Sequence, residues 1–492
     1  MHRTPPFPST QTRTGDPCGW LVSVCLLALS GCAALQHDQT LPPTVIEALQ
    51  KAEMTDAVLG VVAYPLTDPA KGLRLNADLP RQPGSTMKLV TAIVALERLG
   101  TNARGRTDIL VTTKPDLGVI KGPLYLRGGA DTDLDWGALW GLLRQLREQG
   151  VDRIEGGLVV DRNLFNPPRL DVGIPPFDES PEFQYNVIPD ALNLNTSLVG
   201  FVLQSDDRTL SVRTSPVLSG LVLDTRSMVL NDNACPQWES TWVLPDLQIS
   251  QGTPQLRFQG QFPRNCIQSL DLNLVDRQWV TTRVIRQIWA QLGGQISGQD
   301  AEGPTPAQAV VLASHLGRPF AEVARGMMKR SDNPLTRLTY LRLGAQAATA
   351  GESTLDAAAR SVHEWFTAHG IPTDGLAMDN GSGLSRSERI TAQQMAAVLA
   401  TAYKGPYASE LLTSLPVAGV DGTLFRRFKG TAVQGRARLK TGTLRDVTGL
   451  AGYVLDQRDR MWVVVAFLNH DEASKKGSPV LDSVVNWVAG QR

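Results

Sequence analysis

Histidine is scarce in this chain, with 6 in 492 residues, and none stands in an H-E-x-x-H pattern. A zinc peptidase built on that ligand pair has no seat here, and no metal or cofactor is expected. His315 and His470 stand alone, while His363 and His369 fall in or beside one expected helix and read as surface residues. A surplus of either charge is missing too: Lys plus Arg and Asp plus Glu each total 48. Without a basic excess there is no case for a nucleic-acid partner, and no acidic tail appears. Repeats of solenoid length are absent. Cysteine is limited to five positions, and the apolar run Trp20 to Leu29 is too short to cross a bilayer.

That short run has a meaning of its own. It follows Arg3 and Arg13 and ends in Leu29-Ser30-Gly31-Cys32, which resembles a bacterial lipobox. Residues 1–32 are therefore expected to be a lipoprotein signal peptide, with Cys32 as the lipidated residue. The alternative is a plain secretory signal cleaved nearby. A lipidated Cys32 would hold the protein on a membrane by itself. The next residue is Ala33 rather than aspartate, which favours an outer-membrane anchor facing the periplasm. Cys18 and Cys25 leave with the signal, so Cys235 and Cys266 remain as two thiols in an oxidising compartment, either paired or separately buried.

Three motifs stand in order: Ser85-Thr86-Met87-Lys88, Ser331-Asp332-Asn333 and Lys440-Thr441-Gly442. They spell S-x-x-K, S-x-N and K-T-G, the residue set of active-serine enzymes that acylate on β-lactams and D-alanyl peptides. Acyl transfer to serine needs a nucleophile, a proton acceptor and donors for the oxyanion. Ser85 and Lys88, three apart, share one face of a helix. To serve as base near neutrality Lys88 must fall from about 10.4 by roughly three units, or about 4 kcal/mol. Burial and a neighbouring cation, with Lys440 the candidate, could do this. Ser331 would relay a proton to the leaving nitrogen, and Asn333 would bind the substrate amide or Lys88. Lys440, Thr441 and Thr443 suit a terminal carboxylate, and the amides of Ser85 and Thr443 would form the oxyanion hole. Read one at a time, Ser85 could be a helix N-cap, Ser331-Asp332-Asn333-Pro334 a turn, and Lys440 a solvated edge charge. Those readings leave the ordered triplet unexplained.

At 492 residues, with 42% apolar residues, the chain implies more than one domain. Strand-like runs at Val58 to Tyr64, Leu73 to Asn76, Leu439 to Gly442, Val447 to Leu455 and Met461 to Leu468 flank helical runs. The helices are expected at Val45 to Ala52, Met87 to Leu99, Glu322 to Arg330, Leu355 to His369, Ala392 to Tyr403 and Val480 to Val488. From residue 106 the texture turns to short alternating strands with one clear helix, Trp136 to Gln149. The expected organisation is an α+β catalytic domain in two parts, 33–105 and 306–492, split by a β-rich insertion over 106–305 with one or two subdomains. Its sheet should be antiparallel with helices on both faces.

On these motifs the chain resembles the class C low-molecular-mass penicillin-binding proteins, D-alanyl-D-alanine carboxypeptidase/endopeptidases with a long insertion between the first two motifs. Tyr185-Asn186, Leu192 to Asn195, Asp379 to Arg386 and Leu415 to Leu424 extend the resemblance. It implies a penicillin-binding-protein fold and peptidoglycan peptides as substrate, with β-lactams as inhibitors. It also implies Ser85 as nucleophile, Lys88 as base, Ser331 as proton relay, and Asn333, Lys440 and Thr441 as substrate contacts. Near Arg127 to Leu134 the family's Gly-Asp-Pro turn lacks its proline here, so Asp131 or Asp133 would take the aspartate's place and bear on substrate preference. A slowly deacylating penicillin-binding sensor, a peptidoglycan-binding lipoprotein and a β-lactamase are the alternatives. Oligomeric state is not readable.

Overall fold

A computed structural model describes residues 40–173, 180–250 and 252–492. Cys32 and the expected signal segment lie outside the described residues.

The strand Leu59–Pro65 is buried along its whole length. Its alternation sends Val62 and Tyr64 into one apolar core and Val61 and Ala63 into another, on opposite faces. This strand sits inside an antiparallel five-stranded sheet ordered Ala437–Leu444, Val447–Leu455, Met461–Asn469, Leu59–Pro65, Leu73–Leu75. Antiparallel sheets often leave one face wet. Here both are covered, which is why Val447–Leu455 and Met461–Asn469 read as nearly unbroken apolar runs. Helices Lys88–Arg98, Phe320–Arg330, Thr354–Ala368 and Ala392–Lys404 pack on one face. Pro43–Lys51 and Ala473–Ala489 cover the other.

Residues between the first two motifs build other sheets around a separate core. One mixed sheet runs Ala301–Glu302, Leu158–Asp161, Leu124–Gly129, Arg106–Val111, Val310–Leu316. Its strand Val310–Leu316, beyond the residue-305 boundary, pairs antiparallel with Arg106–Val111. Two three-stranded sheets follow, Val222–Asn231/Thr253–Pro263/Trp242–Ser250 and Ile267–Leu272/Val199–Ser205/Leu210–Ser215. A disulfide joins Cys235 to Cys266 with Cα atoms 5.4 Å apart.

Three described helices lie outside the expected set, the short Ala408–Ser414 and two long ones. Asn333–Ala347 carries ten buried residues, including Pro334, Thr336, Arg337 and Tyr340, so it has no polar face to create a helical period. Arg277–Gln291 lies among strands and buries Thr281, Thr282 and Arg277 on its inner side, which masks its apolar stripe.

Candidate active site

Pro83-Gly84 turns the chain into a 3-10 segment, Gly84–Met87, which feeds directly into the helix Lys88–Arg98. Ser85 lies in that segment and caps neither helix with its side chain, so the N-cap reading does not apply. Met87, Leu89, Val90 and Ile93 are buried, fixing the segment against the sheet. Lys88 goes inward with them and is fully buried. Its Nζ lies 3.1 Å from Ser85 Oγ and 2.5 Å from both Asn333 Oδ1 and the Ser382 carbonyl. An ammonium would use its three protons on these partners. A neutral amine keeps two protons for Asn333 and Ser382 and turns its lone pair toward the serine hydroxyl.

Burial lowers Lys88 to about 7. That is on the order of 5 kcal/mol against the charged form. Desolvation is the largest cause, and the Arg337 guanidinium adds to it, while the carboxylates of Glu388 and Asp332 oppose the shift. Lys440 is itself held well below the ordinary lysine range, first by its own burial and then by repulsion from Lys88.

Ser331 closes the helix Phe320–Arg330 in a left-handed conformation, φ 59°. Asp332 then caps the next helix by accepting the Leu335 amide at 2.9 Å, placing Asn333 at its first turn. Asn333 bridges two parts of the chain: its Oδ1 accepts from Lys88, and its Nδ2 donates to the Tyr185 carbonyl at 2.8 Å. Tyr185 is 55% exposed, its ring stacked on Phe183. Of the other family-like segments, Leu192 and Leu194 pack into the insertion's core.

Lys440 lies on the edge strand Ala437–Leu444 yet is completely buried, so it is no solvated edge charge. Its Nζ donates to Ser331 Oγ at 2.8 Å and to the Thr441 carbonyl at 2.7 Å. Thr441 Oγ1 meets Thr423 Oγ1 at 2.9 Å, tying in the Leu415 to Leu424 run. That run is pinned in turn by Asp421, which pairs with Lys329 at 2.6 Å and accepts the Val417 amide. Gly442 backs onto the serine turn: a Cβ there would lie 2.7 Å from the Pro83 carbonyl and 2.9 Å from the Ser85 amide. Thr443 is exposed beside the same turn, its amide 3.4 Å from where a Gly84 Cβ would stand.

The fold thus gathers two hydrogen-bonded groups, Ser85–Lys88–Asn333 and Ser331–Lys440, whose buried amines interact electrostatically, with Thr441 and Thr443 on the flanking strand. It does not bring Asp131 or Asp133 there. Asp131 is buried and binds His315 Nδ1 at 2.6 Å, Thr107 Oγ1 and the Asp133 amide, while Asp133 pairs with Arg318 at 3.1 Å. They brace the root of the insertion. Sequence reasoning also missed Glu388, a fully buried carboxylate behind the Ser382 loop. Its one signal was an acidic residue just past the Asp379 to Arg386 run. Among the described residues no cluster of three or more His, Cys, Asp or Glu side chains could hold a metal.

A serine hydroxyl held by a buried amine at a helix entrance, with a second buried amine on the flanking strand, is the site of an active-serine acyl-transfer enzyme. Residues 43–490 match the D-Ala-D-Ala carboxypeptidase 3 (S13) family, and the chain belongs to it. It is 29% identical over 487 residues to the D-alanyl-D-alanine carboxypeptidase of Actinomadura sp. (strain R39), covering 92% of this chain and 88% of that protein. To D-alanyl-D-alanine carboxypeptidase DacB of Haemophilus influenzae it is 26% identical over 390 residues, 78% of this chain and 80% of the relative. Its fold is similar to the crystal structure of penicillin binding protein 4 (dacB) from Haemophilus influenzae. The TM-score is 0.75 at 23% identity, over 90% of this chain and 98% of that one.

Proposed function

We propose that this protein is a serine-type D-alanyl-D-alanine carboxypeptidase/endopeptidase that cleaves peptidoglycan stem peptides through an acyl-enzyme on Ser85. One observation carries the assignment of roles: Lys88 Nζ, buried and held to about 7, lies 3.1 Å from Ser85 Oγ. At neutral pH about half of such amines are unprotonated and can take the serine proton. Ser85 Oγ then adds to the D-alanyl carbonyl, and the Ser85 and Thr443 amides receive the oxyanion. Collapse of this intermediate expels the amine, which takes its proton by way of Ser331. Asn333 orients the substrate amide and Lys88, and Lys440 with Thr441 receives the terminal carboxylate. Water then attacks the ester, Lys88 again accepting a proton, and Ser85 is released.

The bacterial cell-wall enzymes among its relatives fit a periplasmic location, and the lipobox-like Leu29 to Cys32 supports a lipid anchor on the outer membrane. Incubating the purified protein with muropeptides and weighing the products tests the activity: loss of one D-alanine, or of a cross-link, is expected. A Cys32→Ser variant should leave the membrane fraction that retains the native protein through a salt wash. Equal partitioning of the two would exclude the anchor.

A further inference from the structure

Glu388 is a fully buried carboxylate to which no arginine or lysine among the described residues is bonded. Its hydrogen bonds go instead to backbone. Oε1 accepts the amides of Gly381 at 2.7 Å and Asp379 at 3.3 Å, and Oε2 accepts that of Gly383 at 2.7 Å. Within the span so gripped lies Ser382, whose carbonyl takes the 2.5 Å bond from Lys88 Nζ. The loop has no room to shift toward the serine, since a Cβ on Gly383 would fall 1.8 Å from the Gly84 carbonyl. Thr91 Oγ1, on the serine helix, fastens the Gly381 carbonyl at 2.6 Å.

We propose that Glu388 is a positioning residue of the active site: its carboxylate clamps the loop that holds the Ser382 carbonyl against Lys88, and it sets a buried negative charge behind that loop. The inference rests on Lys88 being the base for Ser85. Ionisable groups converge here from several elements. Asp379 adds negative charge from the loop itself, Asp332, Arg337 and Tyr340 face in from the helix Asn333–Ala347 and its cap, and Lys440 lies on the strand beyond. Burial raises Glu388 to about 7, the range in which Lys88 titrates, so the two exchange influence at working pH. A protonated Glu388 would present a hydroxyl where an amide now points and slacken the clamp. Removing the negative charge lets Lys88 lose its proton at lower pH.

Acylation by a fluorescent penicillin, followed across pH 5 to 9 in folded protein, tests this. In the native enzyme the rate should rise with pH through about 7. Glu388→Gln removes the charge and sets an amide N–H against a backbone N–H. Its acid limb should move down by about one pH unit, with a plateau lowered about tenfold or more by misplacement. Glu388→Asp keeps the charge but falls short of the loop, so its plateau should drop while its limb stays in place. A folded Glu388→Gln enzyme with an unmoved limb overturns the proposal. So does a Glu388→Asp enzyme with an undiminished plateau, or one whose limb moves as far as that of Glu388→Gln; these hold even if Glu388→Gln fails to fold. Penicillin labelling that survives Ser85→Ala would instead sink the acyl-enzyme reading itself, a result separable from these.

Discussion

Lys88 and Lys440 are two buried amines that each hold a serine hydroxyl, Ser85 at 3.1 Å and Ser331 at 2.8 Å. They are unequal. Lys88 has the carboxylates of Glu388 and Asp332 to sustain its charge, whereas Lys440 is lowered both by burial and by Lys88. The site therefore carries its positive charge preferentially on Lys88 until a ligand supplies an anion.

A substrate carboxylate arriving at Lys440 would favour its charged form against the burial and repulsion that lower it, so binding should promote proton uptake. The sign follows from the depressed value: as pH rises, less protonated Lys440 is available and affinity for carboxylate-ended peptides falls. KM for a D-alanyl-D-alanine peptide should climb with pH above neutrality, while an analogue ending in a carboxamide should show a flatter profile. Parallel profiles would exclude the coupling.

Ser85→Ala should abolish covalent labelling by penicillin, because the acyl group has no oxygen to bond. Lys88→Ala should slow labelling by a factor of roughly 10² to 10⁴. Time courses of labelling at saturating penicillin measure both, and a Lys88→Ala rate near native would remove this lysine from the chemistry.

Hydrolysis of the two acyl groups separates the peptidase from its rivals. The D-alanyl acyl-enzyme should turn over faster than the penicilloyl form, whose retained bulk obstructs water. Rapid penicilloyl release with no D-alanine freed from peptides would define a β-lactamase, and release of neither a sensor.

Asp131→Ala should behave as a stability variant. It strips partners from His315, Thr107 and the Asp133 amide in a buried setting, at about 1–3 kcal/mol. A lower melting temperature with native labelling of the folded enzyme is expected. Altered muropeptide preference at unchanged stability would return Asp131 to a direct role in recognition.

The Cys235–Cys266 link closes a span of 31 residues. Chain-entropy reasoning gives it about 3–4 kcal/mol. A Cys235→Ser/Cys266→Ser variant should melt earlier yet label normally, as calorimetry and penicillin binding would report.

Much of this site was legible because short motifs encode local geometry: Pro83-Gly84 before Ser85, and Asp332 before Asn333 as a cap. The five sheet strands were legible too, since burial on both faces leaves few polar residues in them. What escaped notice has the opposite character. Helix Asn333–Ala347 is buried all round and lacks a periodic face. Glu388 acts through backbone amides that no residue pattern announces. Asp131 suggested a recognition turn, but only tertiary packing reveals that it faces His315, a residue far along the chain.

Strand Leu59–Pro65 finds its partner in Met461–Asn469, across nearly the whole described length. Such distant pairing closes slowly, since the loop entropy is lost before the contacts form. The serine helix packs on this sheet, and Lys440 enters it from the late strand Ala437–Leu444. A nascent chain thus holds Ser85 without Lys440 and the strands around it. Competence to react arrives only with the final strands, which keeps an unfinished polypeptide from acylating itself on cell-wall peptides or antibiotics.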